Sequence, residues 1–124
     1  MKQILLVFLG GGAGSAIRYM IGNWMPYSGK GFPWSTFTAN VIGCFILGVF
    51  LGYIIKNGSE PQSSWVALGT IGFCGGFTTF SSFANENLGL IRSGDLGLML
   101  TYTIISLIIG MGMIYLGFMF QKYF

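Results

Sequence analysis

Polar residues are scarce in this chain, and most of them interrupt stretches that are otherwise apolar. Asn40 follows Thr36 by one helical turn, and Tyr102 and Ser106 repeat that spacing, continued by the small Gly110. Thr78, Thr79, Ser81 and Ser82 add a cluster of hydroxyls, and no acid joins these groups until Glu86. All of them can donate hydrogen bonds. Donors without carboxylates suit an anion, although the same groups also serve as interhelical bonds, worth about 0.6 kcal/mol on average. Arg18 is the one cation well inside an apolar segment. A charge there costs at least about 2.5–3.5 kcal/mol, so it either snorkels to the interface or sets a positive potential in an aqueous vestibule. Phe80 and Phe83 stand three apart and share a helical face. Their rings are core packing or a weak anion site, because an aromatic ring is positive at its edge. Weak binding is what conduction needs, since an ion must leave a site as well as reach it. Glu86 lies one turn beyond Phe83, where it can bond to a neighbouring helix or line a path.

The elements that position these residues must be solvated by lipid. The 124 residues are 53% hydrophobic and 7% charged, with a mean hydropathy of +0.73. Average soluble domains are about 25% charged. This composition excludes a soluble globular domain, a disordered chain and a nucleic-acid binder. A membrane helix takes about 20 residues, so the chain holds four spans in a single domain over 1–124, with short loops. Helices fit better than strands, because Ile104-Ile105-Ser106-Leu107-Ile108-Ile109 is apolar on both parities. The expected spans cover 4–24, 35–55, 64–91 and 96–120. Gly10 and Gly14, like Gly48 and Gly52, sit four apart and predict close helix packing. A dinucleotide fingerprint at Gly10–Gly14 is excluded, since neither the preceding strand nor the later acidic residue exists. Ser59-Glu60-Pro61 reads as a turn. Cys44 and Cys74 lie in separate apolar runs and read as small buried hydrophobes, without metal-ligand spacing.

The third span is unusual. Gly75-Gly76-Phe77-Thr78-Thr79-Phe80-Ser81-Ser82-Phe83 places paired glycines before β-branched and hydroxyl residues. The pattern predicts a helix broken near Gly75–Thr79; the alternative is a continuous helix whose hydroxyls bond back to preceding carbonyls. Irregular backbone in a bilayer is tolerated only where protein or water satisfies it, and such breaks recur at ion sites. The charges carry a second message. Four spans put Lys2, Lys56 and Lys122 on one side, and Arg18, Lys30 and Arg92 on the other. A Lys/Arg excess normally sets orientation, and here there is none. The chain therefore either takes one orientation for other reasons or takes both, which permits an antiparallel homodimer.

With Arg18 in the first span, Thr38-Ala39-Asn40 in the second, and Glu86, the GGFTTFSSF stretch at 75–83 resembles the Fluc (CrcB-type) fluoride channel family. The resemblance covers essentially the whole chain. It implies an all-α membrane protein, a dual-topology antiparallel homodimer with two pores that passively exports fluoride from the cytoplasm across the cell (inner) membrane. It also implies that Phe80 and Phe83 line the pores, that Asn40 is the pore asparagine, and that Ser81, Ser82, Tyr102 and Ser106 form a hydroxyl track. Arg18 becomes the vestibule arginine. A structural Na⁺ is implied at the dimer centre, held by backbone carbonyls at Gly75 and Thr78. Two positions depart from the pattern: Ser82 stands where some members have Thr, which keeps the hydroxyl, and Gly110 where some have Ser. The rival readings are a small multidrug transporter, which would want a carboxylate in the first span, and a non-transporting assembly subunit.

Overall fold

A computed structural model describes residues 1–58, 60 and 63–123. Ser59 and Pro61, two residues of the expected turn, lie outside that set. Helix α1 spans Lys2–Trp24 and α2 spans Trp34–Lys56. The third span begins as a π-helical segment, Val66–Cys74, and continues as one α-helical turn, α3, Gly75–Phe77. It then breaks and resumes as α4, Phe80–Arg92, before α5 covers Leu96–Tyr123. Among the described residues, four stretches, with Val66–Arg92 counted as one, are long and apolar enough to cross a membrane. The chain is thus an all-helical, multi-pass membrane protein whose third span is bent at Thr78–Thr79. All four expected spans are present, with ends that move by a few residues.

Glycines set how the helices pair. A Cβ on Gly14 would come within 2.3 Å of the Phe73 carbonyl oxygen, and one on Gly10 within 2.1 Å of that of Leu68. Helix α1 therefore lies backbone against backbone on the first half of the third span, as the four-residue glycine spacing predicts. Gly48 approaches the Ile114 carbonyl as closely, and Gly117 that of Phe45. From Cys44 beside Gly110, through Gly48 beside Ile114, to Gly52 beside Phe118 and Gln121, the contacts advance together along α2 and α5, so the two helices run parallel. Few large side chains are buried: Phe77, Leu90 and Tyr102 are nearly or fully so, while Ile4, Phe8, Leu107, Ile108 and Met111 face outward. Such an apolar exterior fits a chain whose solvent is hydrocarbon. Trp24, Trp34 and Trp65 lie at or next to the ends of their helical segments and are exposed, where amphipathic rings favour the interface.

The break differs in one respect from the expectation. The paired glycines are helical, with Gly75 at φ −64° and ψ −35°. It is Thr78 and Thr79 that are extended, Thr78 at ψ 158° and Thr79 at φ −149°. The glycines serve contact instead: a Cβ on Gly76 would lie 2.3 Å from the Gly11 carbonyl oxygen. Thr79 ends the break by capping α4, its Oγ1 accepting the Ser82 N–H at 3.2 Å. Threonine is a favoured residue at this position because its hydroxyl satisfies an otherwise orphaned N–H. The π-helical stretch before the break has no counterpart in the sequence reading. Wide turns of this kind occur mostly as single-turn bulges, frequently at functional sites, and here the segment runs for nine residues.

Candidate functional site

The break is held by Asn40. Its Oδ1 accepts the Thr79 N–H at 2.8 Å, and its Nδ2 donates to the Thr79 carbonyl at 3.1 Å. An amide side chain carries two N–H donors, so one remains for the space that Asn40 lines. In an unbroken helix the Thr79 N–H would bond the Gly75 carbonyl. Its transfer to Asn40 releases that carbonyl from the ladder. The next carbonyl, that of Gly76, accepts from Arg18 Nε at 3.1 Å and from Ser15 Oγ at 3.3 Å. Arg18 is thus tethered to the break itself and half-buried. Thr78 turns its hydroxyl back onto the Cys74 carbonyl at 2.9 Å.

Two spaces meet at Thr79. One is a polar cavity of about 470 Å³, lined by Ser15, Arg18, Asn23, Thr36, Thr79 and Ser82. The other is a groove of about 340 Å³ between α2, α4 and α5, whose wall includes Asn40, Cys44, Phe80, Phe83, Ser106 and Gly110. Phe80 and Phe83 share a face as their spacing predicts, with ring centroids 5.8 Å apart. Phe80 is 80% exposed, while Phe83 packs on Tyr102 at 5.0 Å. The Ser106 hydroxyl oxygen is buried in this wall without a partner among the described residues. At Gly110 the wall is completed by sulfur, since a Cβ there would lie 3.5 Å from Cys44 Sγ. Ser81 is exposed, its hydroxyl 3.2 Å from Thr79 Oγ1, and Ser82 Oγ accepts from the same Thr79 hydroxyl at 3.2 Å.

Glu86 and Tyr102 form a separate node. The two Glu86 oxygens accept from Thr36 Oγ1 and, at 2.7 Å, from the Tyr102 hydroxyl. Tyr102 is fully buried, and it does not line the groove that holds Ser106. Glu86 instead lines a third cavity with Tyr27, Ser82, Asn85 and Arg92, on the far side of Ser82. The structure thus gathers Asn40, Phe80, Phe83 and Ser106 at one groove, and Arg18 and Ser82 at the adjoining cavity. Thr79 joins the two spaces. Sequence alone places it only among the hydroxyls, although a threonine ahead of a helical segment is a capping signal.

Chemically, the arrangement offers amide and hydroxyl donors, ring edges and one cation along adjoining spaces, with the nearest carboxylate already occupied by two O–H donors. Comparison with known proteins agrees in kind. Residues 5–118 match the family described as CrcB-like protein, Camphor Resistance (CrcB). A protein of Gloeothece citriformis named fluoride-specific ion channel FluC is 47% identical, the match covering 98% of each chain. One of the same name from Phocaeicola vulgatus is 43% identical over 94% of this chain and 96% of its own. A third, from Thermus thermophilus, is 39% identical over 95% of this chain and 92% of its own. These relatives are named as channels, not enzymes. With a family match across nearly its whole length and relatives well above 30% identity, the chain belongs to the CrcB-like protein family.

Proposed function

We propose that this chain is a fluoride-selective channel that passively exports fluoride from the cytoplasm across the inner cell membrane. The observation that carries the reading is the Asn40–Thr79 clasp, which opens the third span where a donor-lined cavity meets an aromatic groove. Fluoride is small and strongly hydrated, so a selective route must replace its water with hydrogen-bond donors. The remaining Asn40 N–H and the unpartnered Ser106 hydroxyl supply donors, and the ring edges of Phe80 and Phe83 supply weak positive potential. Arg18 beside the polar cavity gathers anions. Binding at each step stays weak enough for release. The transporter alternative would place an acid in the first span, where this chain carries Arg18.

The working unit in this proposal is an antiparallel homodimer with two pores. Gly75 is exposed, a Cβ there would meet nothing within 4 Å, and its carbonyl has lost the helical N–H that would bond it. Hydrocarbon cannot satisfy such a group. A second copy can, and the balanced charges of the two membrane sides permit the inverted partner. The same surface fits a structural Na⁺. Backbone carbonyls are hard oxygen ligands, and those of Gly75 and Thr78 together with the pair from the second copy would hold the ion. Its charge would neutralise the carbonyl dipoles brought together at the dimer centre.

The test is efflux from liposomes containing the purified protein, loaded with fluoride or with chloride. Fluoride leaves rapidly and passively while chloride stays; equal leakage of both, or no flux, overturns the assignment. Cysteines placed in the loops and labelled from each side of intact cells test the inverted pair, which predicts that every position labels from both sides. Single-sided labelling rejects it.

A further inference from the structure

Helix α4 carries both groove phenylalanines; Asn40 and the Thr79 cap hold its first turn, and α5 grips it one turn further on. Two consecutive residues of α5 grip two consecutive residues of α4. The Tyr102 hydroxyl donates to Glu86, and Thr103 Oγ1 donates to Asn87 Oδ1 at 3.0 Å. The same Asn87 amide donates from Nδ2 to the Phe83 carbonyl at 2.9 Å. Asn87 therefore links α5 directly to the backbone of a residue whose ring lines the groove. The spacing extends the point: Phe83 and Asn87 lie one turn apart on α4, and Thr103 and Ser106 lie three apart on α5, so each pair shares a face. One face of each helix thus carries both a bonding residue and a groove residue.

We propose that Asn87 is a positioning residue for the groove, setting the rotation of α4 through Thr103 and so the distance of the Phe83 ring from the Ser106 hydroxyl. This role rests on the reading of the groove as the ion route. Neither Asn87 nor Thr103 lines the groove, so their effect reaches an ion only through Phe83 and its neighbours. Nothing in residue type or spacing singles out Asn87, since an asparagine in a helix can satisfy its amide on its own backbone four residues back. What distinguishes it is the second bond, from Thr103, which only the folded pairing of α4 with α5 supplies.

Two measurements test the proposal together. Fluoride efflux from liposomes is measured for Asn87→Ala, Thr103→Val, Thr103→Ser and the double variant Asn87→Ala/Thr103→Val. A fluorinated phenylalanine introduced at position 83 reports ring environment by ¹⁹F resonance in the same set of proteins. Loss of an interhelical bond of the stronger kind predicts that each of the first two variants slows efflux by up to about tenfold. The double variant is no slower than the singles, and Thr103→Ser, which keeps the hydroxyl, restores the parent rate. The resonance moves in the impaired variants and returns in Thr103→Ser. A resonance that stays in place in Asn87→Ala, or a double variant whose loss is the product of the two singles, overturns the proposal. Should the parent protein fail to pass fluoride, the proposed function falls, while the resonance still decides whether Asn87 places the ring.

Discussion

Replacing Asn40 by leucine removes the clasp while keeping the same branched skeleton of side-chain heavy atoms. The Thr79 N–H loses its acceptor at 2.8 Å and the Thr79 carbonyl loses its donor at 3.1 Å. A buried group stripped of its partner costs about 1–3 kcal/mol, which puts the ceiling for two at about 6 kcal/mol. Interhelical bonds measured within bilayers average about 0.6 kcal/mol, which puts the floor for two near 1 kcal/mol. Thr79 borders the polar cavity, so water can reach part of the exposed backbone. That favours the lower half of the range, and the expected loss is about 2 kcal/mol, a roughly thirtyfold change in the ratio of folded to unfolded protein. Asn40→Asp is the informative comparison. It keeps an acceptor for the Thr79 N–H, but it sets a second carboxylate oxygen against the Thr79 carbonyl and places negative charge in an anion route. The leucine variant should lose both thermal stability in detergent and fluoride efflux, whereas the aspartate variant, which adds a charge inside the span, should lose efflux at least as completely and gain no stability from the acceptor it keeps. If Asn40→Leu unfolds at the parent temperature and conducts at the parent rate, the clasp does not hold the break open and the reasoning fails.

Three further expectations follow from the same geometry. Phe80→Ile and Phe83→Ile should sharply lower fluoride efflux while the protein still assembles, because Phe80 in particular is largely exposed on the single chain; unaltered efflux in both would reduce the rings to packing. Gly14→Ala should disrupt the pairing of α1 with the third span, since the new methyl would lie 2.3 Å from the Phe73 carbonyl oxygen and both neighbours are backbone; a melting temperature equal to that of the parent would contradict the close approach. Glu86→Gln replaces one of two occupied acceptors by an N–H₂ that faces an O–H donor, a loss of about 1–3 kcal/mol, visible in thermal unfolding; Glu86→Ala should cost no less.

Much of the architecture is legible because lipid makes few demands and states them clearly. Runs of apolar residues of spanning length locate all four spans, and small residues four apart reveal where helices touch. The position of the break is less legible. Adjacent glycines suggest flexibility, but here they are spent on contact with Gly11, and the chain departs from helix only at the two threonines that follow. The signal was present as a capping residue, since Thr79 bonds forward to Ser82. The destination of Tyr102 was not legible: spacing pairs it with Ser106, yet helix rotation aims it at Glu86 and buries it. Nor does periodicity reveal the bond between Thr103 and Asn87, which depends on how two consecutive helices are rotated against each other. The π-helical stretch leaves no mark in residue types at all.

The third span is, in effect, two different building materials joined end to end. Its first half lies on α1 through glycine backbone, where an added methyl would prise the pair apart, with Ser15 and Arg18 bonding the Gly76 carbonyl at its end. Its second half is fastened to α2 and α5 by removable polar fittings. An engineer wishing to retune the aromatic end could therefore exchange those fittings one at a time, leaving the rigid foundation beneath them untouched.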